Sequence, residues 1–222
     1  MDCMDFMKEF PDKFFDLAIV DVPYGIGEDG STNHSRGLLA VSKDYKPYSG
    51  NDLSVPNSDY WQELFRVSKN QIVWGANHFI SKLPYDSSCW IVWDKMNGET
   101  DFADCELAWT SFKTAVRIYR FRWQGMLQGN MKNKQERIHP NEKPFQLYQF
   151  CLSNYAKKGE RVLDTHVGSG SHRVAAYKQE IDFYGCDTDE YYFNKQETRF
   201  IESIAEPLFD AVKKQPEQTK IF

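Results

Sequence analysis

No Cys-x-x-Cys pair occurs in the chain, whose five cysteines, at positions 3, 89, 105, 151 and 186, are odd in number and widely spaced. That pattern excludes a disulfide framework and a thiolate zinc site and leaves buried, reduced thiols as the expectation. His34, His78, His139, His166 and His172 also lack the close spacing to cysteine or acid that metal ligation needs, so no metal is expected. No apolar run approaches the length required to cross a bilayer, and no membrane partner is expected. The opening stretch MDCMDFMKEF has neither the basic nor the long apolar region of a secretory signal, which points to a cytoplasmic protein. Internal repeats and low-complexity tracts are missing too. What remains, 222 residues with 41% hydrophobic and 27% charged content, suits a single α/β domain spanning 1–222.

The net charge of −5 argues alone against a nucleic-acid partner, but its distribution matters more than its sum. Between residues 111 and 138 stand Lys113, Arg117, Arg120, Arg122, Lys132, Lys134 and Arg137 against the single acid Glu136. That segment carries +6 and the rest of the chain −11. Tyr119, Phe121 and Trp123 are interleaved with the basic residues, a mixture suited to phosphates and bases together. A small target-recognition insertion at 111–138 is the expectation, the alternative being a solvated strand and loop.

Apolar runs predict strands at 16–21, 70–75, 89–94, 106–112, 115–123, 161–164 and 182–187, with 106–112 and 115–123 close enough to be antiparallel neighbours. Helices are predicted at 58–68, 143–157, 171–180 and 189–214. Strand, helix and strand between 161 and 187 make a βαβ unit, hence a parallel sheet covered by helices. Residues 27–52 are rich in Gly, Ser, Asn and Asp without periodicity, and a long loop at a strand's carboxyl end is expected to serve function.

In VLDTHVGSGSHRVAAY a strand ends at Asp164, passes through Gly168-Ser169-Gly170 and enters a helix. Glycines there permit positive φ and a close approach of backbone to ligand at the sheet's carboxyl edge. A nicotinamide-type turn needs a third glycine at 173, where the chain has Arg173, so a dinucleotide is disfavoured. The next strand ends at Asp187, whose carboxylate is suited to the two hydroxyls of a ribose.

Together with DVPYG (21–25) and RIHPNEKPFQLY (137–148), this stretch resembles the beta-class S-adenosylmethionine-dependent DNA amino-methyltransferases, which act on adenine N6 or cytosine N4. DVPYG resembles their Asp-Pro-Pro-Tyr catalytic motif, DTHVGSG their Asp-Pro-Phe-x-Gly-Ser-Gly cofactor loop, and HPNEKP the His-Pro-x-x-Lys-Pro segment before it. The catalytic motif precedes the cofactor loop, an order that excludes the related glutamine methyltransferases. The resemblance implies an α/β, Rossmann-like methyltransferase fold: a mostly parallel twisted sheet with helices on both faces and circularly permuted motif order. It implies S-adenosylmethionine as cofactor, held by Asp2, Lys143, Asp164, His166, Gly168, Ser169, Gly170 and Asp187. It also implies double-stranded DNA as partner, contacted by the basic residues of 111–138.

An exocyclic amine is a poor nucleophile because its lone pair is delocalised into the ring, so a site must hold its N–H groups and favour charge on nitrogen. The resemblance gives these tasks to Asp21, which accepts one N–H, and to the carbonyl of Val22, which accepts the other. Pro23 biases Val22 towards an extended conformation, and Tyr24 offers a face to the flipped base. The chain departs from the family at Val22, where proline is usual, and at Thr165 and His166, which replace Pro-Phe. Aspartate at the head of the motif favours adenine N6 over cytosine N4. A non-catalytic DNA-binding relative and a methyltransferase acting on RNA are the rival readings, and monomer and homodimer stay open.

Overall fold

The structure, a computed structural model, describes residues 1–27, 46, 52–98, 103–123, 127–132 and 134–213, of which 206–213 by backbone alone. The segment 27–52 therefore lies almost wholly outside the described residues, Gly27, Lys46 and Asp52 excepted.

Five apolar residues and Asp16 at Phe15–Val20 form strand β1, buried on both faces, and β1 sits inside a seven-stranded sheet. The other strands are β2 (Ser68–Trp74), β3 (Trp90–Asp94), β4 (Cys105–Thr110), β5 (Arg117–Arg120), β6 (Arg161–Asp164) and β7 (Asp182–Gly185), in the spatial order β5-β3-β4-β2-β1-β6-β7. β1 pairs in parallel with β2 and β6, β6 with β7, and β3 with β5, while β4 runs antiparallel to β2 and β3. Carboxyl ends of β1, β2, β3, β5, β6 and β7 therefore share one edge of the sheet.

Helices cover both faces, as a mostly parallel sheet requires. On one face Leu17 and Ile19 pack with Leu147, Tyr148, Cys151 and Leu152 of α3 (Phe145–Tyr155) and with Ala175 and Ala176 of α4 (Ser171–Lys178). On the other, Ala18 and Val20 meet Met7 of α1 (Cys3–Lys8) and Tyr60, Trp61, Leu64 and Val67 of α2 (Ser58–Val67). α5 (Glu190–Lys213) closes the described chain. Asp2 caps α1 by accepting from the Met4 amide at 2.7 Å. No helix among the described residues is long and apolar enough to cross a membrane.

Three expectations need correction. β4 and β5 are not neighbours: both edges of β4 are taken, by β2 (Val73 opposite Trp109) and by β3 (Ile91 opposite Ala108), so β5 pairs in parallel with the outer edge of β3. Tyr119, Phe121 and Trp123 are not open stacking faces. Trp123 is buried with its indole N–H on the Glu142 carbonyl at 2.8 Å, and Tyr119 stacks on Phe150 and Phe121. The cysteines are all free thiols, but Cys105 is exposed, because it begins β4 opposite Asp94 at the sheet's rim.

Candidate active site

Two loops leave adjacent parallel strands at the shared carboxyl edge, Asp21–Gly25 after β1 and Thr165–Gly170 after β6. The first is pinned by Asp52, whose buried Oδ1 accepts the amides of Tyr24 at 2.5 Å and Gly25 at 2.9 Å. Pro23 has no amide to donate, so the turn's two available donors converge on one carboxylate oxygen.

Within this loop the Tyr24 hydroxyl donates to Asp21 Oδ1 at 2.6 Å. Burial, then the charge of Asp21, push the phenol well above its usual range, so it is a donor at neutral pH. Its ring is stacked on His78, centroids 5.0 Å apart and planes 12° from parallel. It also lies across Gly75, which follows β2 with φ +68°.

The other oxygen of Asp21 receives the ammonium of Lys143 at 2.6 Å. The resemblance assigned Lys143 to the cofactor; here its side chain, 6% exposed, lies on the Asp21–Tyr24 stretch, 3.1 Å from the Tyr24 hydroxyl and 3.1 Å from Glu106 Oε2. Burial would lower the proton affinity of Lys143, but Asp21 and Glu106 outweigh it and raise it. Burial likewise pushes Glu106 up, while Lys143 and then Lys95, at 2.5 Å from Oε1, hold it down to about 2. Lys143 is aimed by its neighbour Glu142, which accepts the Ile138 amide at 2.9 Å and the Arg199 guanidinium at 3.0 Å. Arg199, on α5, also donates to the Ser169 carbonyl at 3.1 Å, tying the HPNEKP segment to the second loop.

That second loop is held from inside. Asp164, 2% exposed, accepts the His166 amide at 3.0 Å on Oδ1 and lies 3.0 Å from His172 Nδ1 on Oδ2, so one oxygen holds the loop and the other the first turn of α4. Gly168 and Gly170 have φ +51° and +70°, and a Cβ at Gly170 would fall 2.8 Å from Gln196 Cβ, leaving no room for any other residue. Ser169 is buried, its hydroxyl 2.9 Å from that of Ser171. Asp187, half-buried after β7, accepts the Gly168 amide at 2.8 Å and the Asp189 amide at 2.9 Å. His166 is bonded to the Thr165 hydroxyl at 2.9 Å, which meets the Tyr60 hydroxyl at 2.7 Å. Burial lowers the proton affinity of the imidazole, against the opposing charges of Asp164, Asp187, Asp21 and Asp2.

The basic residues do not form one patch. Arg120 and Arg122, exposed at the carboxyl end of β5, share the edge with Asp21; Lys113, which precedes β5, lies at the opposite edge, next to Thr114, whose hydroxyl donates to Cys89 ahead of β3. Arg117 begins β5 and is exposed, as are Lys132 and Lys134. Arg137 turns inward, donating to the Pro140 carbonyl at 2.6 Å over the Trp123 ring. Among the described residues no group of three or more His, Cys, Asp or Glu side chains could hold a metal ion.

Sequence reasoning missed Asp52, His78, Lys95, Glu106 and Arg199. Glu106 alone left a trace, a lone acid in the strand ELAWTSF, which has to find a cation or stay in water.

The profile of a family described as DNA methylase matches residues 38–198. Type II methyltransferase M2.MboI of Moraxella bovis is 23% identical over 235 residues, spanning 90% of this chain and 85% of that protein. Type II methyltransferase M2.DpnII of Streptococcus pneumoniae is 23% identical over 226 residues, with 86% and 84% covered. Among solved structures, the M1.HpyAVI–SAM complex superposes with a TM-score of 0.56 at 16% identity, covering 90% of this chain and 96% of that one. PvuII DNA methyltransferase, described as cytosine-N4-specific, superposes with a TM-score of 0.57 at 12% identity, covering 90% and 84%.

Proposed function

Because the chain belongs to the DNA methylase family of N6 and N4 amino-methyltransferases, we propose that it methylates the N6 amine of adenine in double-stranded DNA, in the cytoplasm, with Asp21 and Tyr24 at the reacting amine. The observation that carries this reading is the pairing of the two loops: the Asp21–Tyr24 hydrogen bond at the end of β1 stands beside the glycine loop at the end of β6, on adjacent parallel strands.

S-adenosylmethionine is the family's methyl donor and supplies an activated methyl on a cationic sulfonium. The residues here suit it on two counts. The charges of Asp164, Asp187, Asp21 and Asp2 all act on His166, and a negative field at that residue favours a cation. Gly168 presents open backbone, since a Cβ there would meet nothing closer than 3.9 Å. Asp187 is the candidate for the ribose hydroxyls and Asp2 for the adenine ring. Asp164, spent on the loop itself, supports the backbone of Thr165–Gly170.

In this reading the target base leaves the duplex, stacks on Tyr24 and donates one N–H to Asp21 and the other to the Val22 carbonyl. Nitrogen gains positive charge as its lone pair forms the new N–C bond, and a carboxylate already in place lowers the barrier without reorganising. One amine proton then leaves, with Asp21 the nearest acceptor. Arg120 and Arg122 stand four strand spacings from β1, about 19 Å, or roughly six base pairs along a duplex. Phosphates flanking the target base are therefore within their reach.

The test is methyl transfer from tritiated S-adenosylmethionine to duplex DNA, followed by digestion to nucleosides. N6-methyldeoxyadenosine is the expected product. N4-methyldeoxycytidine would overturn the choice of base, and transfer to RNA alone the choice of polymer. Failure to bind the cofactor in calorimetric titration would favour the non-catalytic reading.

A further inference from the structure

Lys143 bridges the carboxylates of Asp21 and Glu106, and Glu106 in turn bridges Lys143 and Lys95. We propose that Glu106 is a positioning residue for methyl transfer, holding the Lys143 ammonium away from full neutralisation of Asp21 so that the charge facing the target amine stays negative. This inference rests on the role of Asp21 proposed above.

Charge counting gives the reason. An amine that becomes cationic is stabilised by a facing carboxylate and repelled by a facing ammonium. Asp21 and Lys143, 2.6 Å apart, would by themselves present no net charge. Glu106 adds a second negative charge 3.1 Å from the same ammonium, making the trio −1. Lys95 balances Glu106 from its other oxygen, on the side away from Lys143, and lies over the Trp93 ring at 5.1 Å. The four charges sum to zero but alternate in sign along the chain of contacts from Asp21 through Lys143 and Glu106 to Lys95, so the carboxylate is the end that faces the amine and Lys95 the end most removed from it.

The sheet explains why Glu106 has this place. β4 is antiparallel to its neighbours, so its second residue, opposite Trp93, stands at the edge where β1 ends. Trp74 and Tyr24, whose ring centroids lie 5.9 and 5.6 Å from the Lys143 nitrogen, keep water from this ammonium and strengthen each interaction. Glu106 Oε2 is itself buried, so the charge it contributes is not screened by solvent.

Turnover at saturating DNA and cofactor should fall about 10- to 100-fold in Glu106→Gln, the effect of one unit charge placed one carboxylate away. The KM for DNA and the Kd for S-adenosylmethionine should stay within about threefold. Adding Lys143→Met to Glu106→Gln should raise kcat above that of Glu106→Gln alone, since the uncompensated ammonium is gone. A residue that only supports the fold would lower the unfolding midpoint without this reversal. Should Glu106→Gln not fold, Glu106→Asp, which keeps the charge but withdraws it, should lose several-fold in kcat at full cofactor affinity. Unchanged kcat in the folded variant, or a double variant no faster than Glu106→Gln, overturns the proposal. Failure of the underlying reading looks different: Asp21→Asn would then turn over like the wild type.

Discussion

The ring of Tyr24 fills the space a side chain on residue 75 would need: a Cβ built on Gly75 falls 2.0 Å from Tyr24 Cε1. Strand β2 is thus followed at once by the one residue type that lets the Tyr24 ring lie against the sheet's edge. The φ of +68° adds a second reason for glycine.

Gly75→Ala should therefore act on Tyr24 as well as on stability. Backbone strain of about 1–2 kcal/mol is expected in chemical unfolding. Turnover should drop further than cofactor affinity, because the displaced ring loses both His78 and the bond to Asp21. A stable variant with normal turnover would mean that the ring's position is immaterial.

Binding and chemistry should separate between the two loops. A charge-assisted hydrogen bond contributes about 1.5–3 kcal/mol, so Asp187→Ala should weaken S-adenosylmethionine binding roughly ten- to hundredfold in calorimetric titration. Asp21→Ala should leave that affinity nearly intact while methyl transfer falls by orders of magnitude. Tyr24→Phe, which keeps the ring, should be milder than Tyr24→Ala, and a fluorescent base analogue should report less base flipping in the latter alone.

Salt dependence should distinguish the two edges of the sheet. Arg120→Ala with Arg122→Ala should lower the slope of log K against log salt by about 1.8, two phosphate contacts at about 0.9 each. Lys113→Ala, at the far edge, should leave the slope unchanged, and an equal effect from Lys113 would refute the orientation proposed for DNA.

Acid should destabilise the protein through His139. Burial, then Arg137, lower its proton affinity from 6.5 to about 4, against the weaker pull of Asp189. The unfolded chain binds this proton first, so stability is lost as pH falls from about 6.5 to 4 and is fully present above that window. His139→Asn should flatten the unfolding midpoint across that range while retaining an acceptor for the Asn141 amide, 3.2 Å from Nδ1.

Strands β1, β6 and β7 and the loops after them were legible in the sequence because each apolar run ends at once in Asp, Gly or Pro, where local chemistry fixes the turn. The partner of β5 was not legible. Its pairing depends on both edges of β4 being occupied, and that is a property of the assembled sheet. Helix α1, six residues long, is too short for periodicity to register. Lys143 was singled out on resemblance, yet its direction is set by Trp123, Ile138 and Arg199 acting on Glu142, contacts that local spacing does not encode. Glu106 reads in the sequence only as a lone strand acid in need of a cation; which cations serve it is settled when β3 and β4 bring Lys95 beside it.

The position of β1 between β2 and β6 also has a consequence during synthesis. Phe15–Val20 finds β2 some 50 residues later in the chain, but its other edge waits for β6, about 140 residues further on than Val20. At roughly 5–20 residues per second that edge stays uncovered for about 7–30 s. For that interval the most apolar strand of the sheet presents unpaired amides and carbonyls, the condition under which nascent chains join one another. Slower elongation between residues 75 and 160 should therefore lower the soluble yield, and a circular permutant that begins at β6 should escape the penalty.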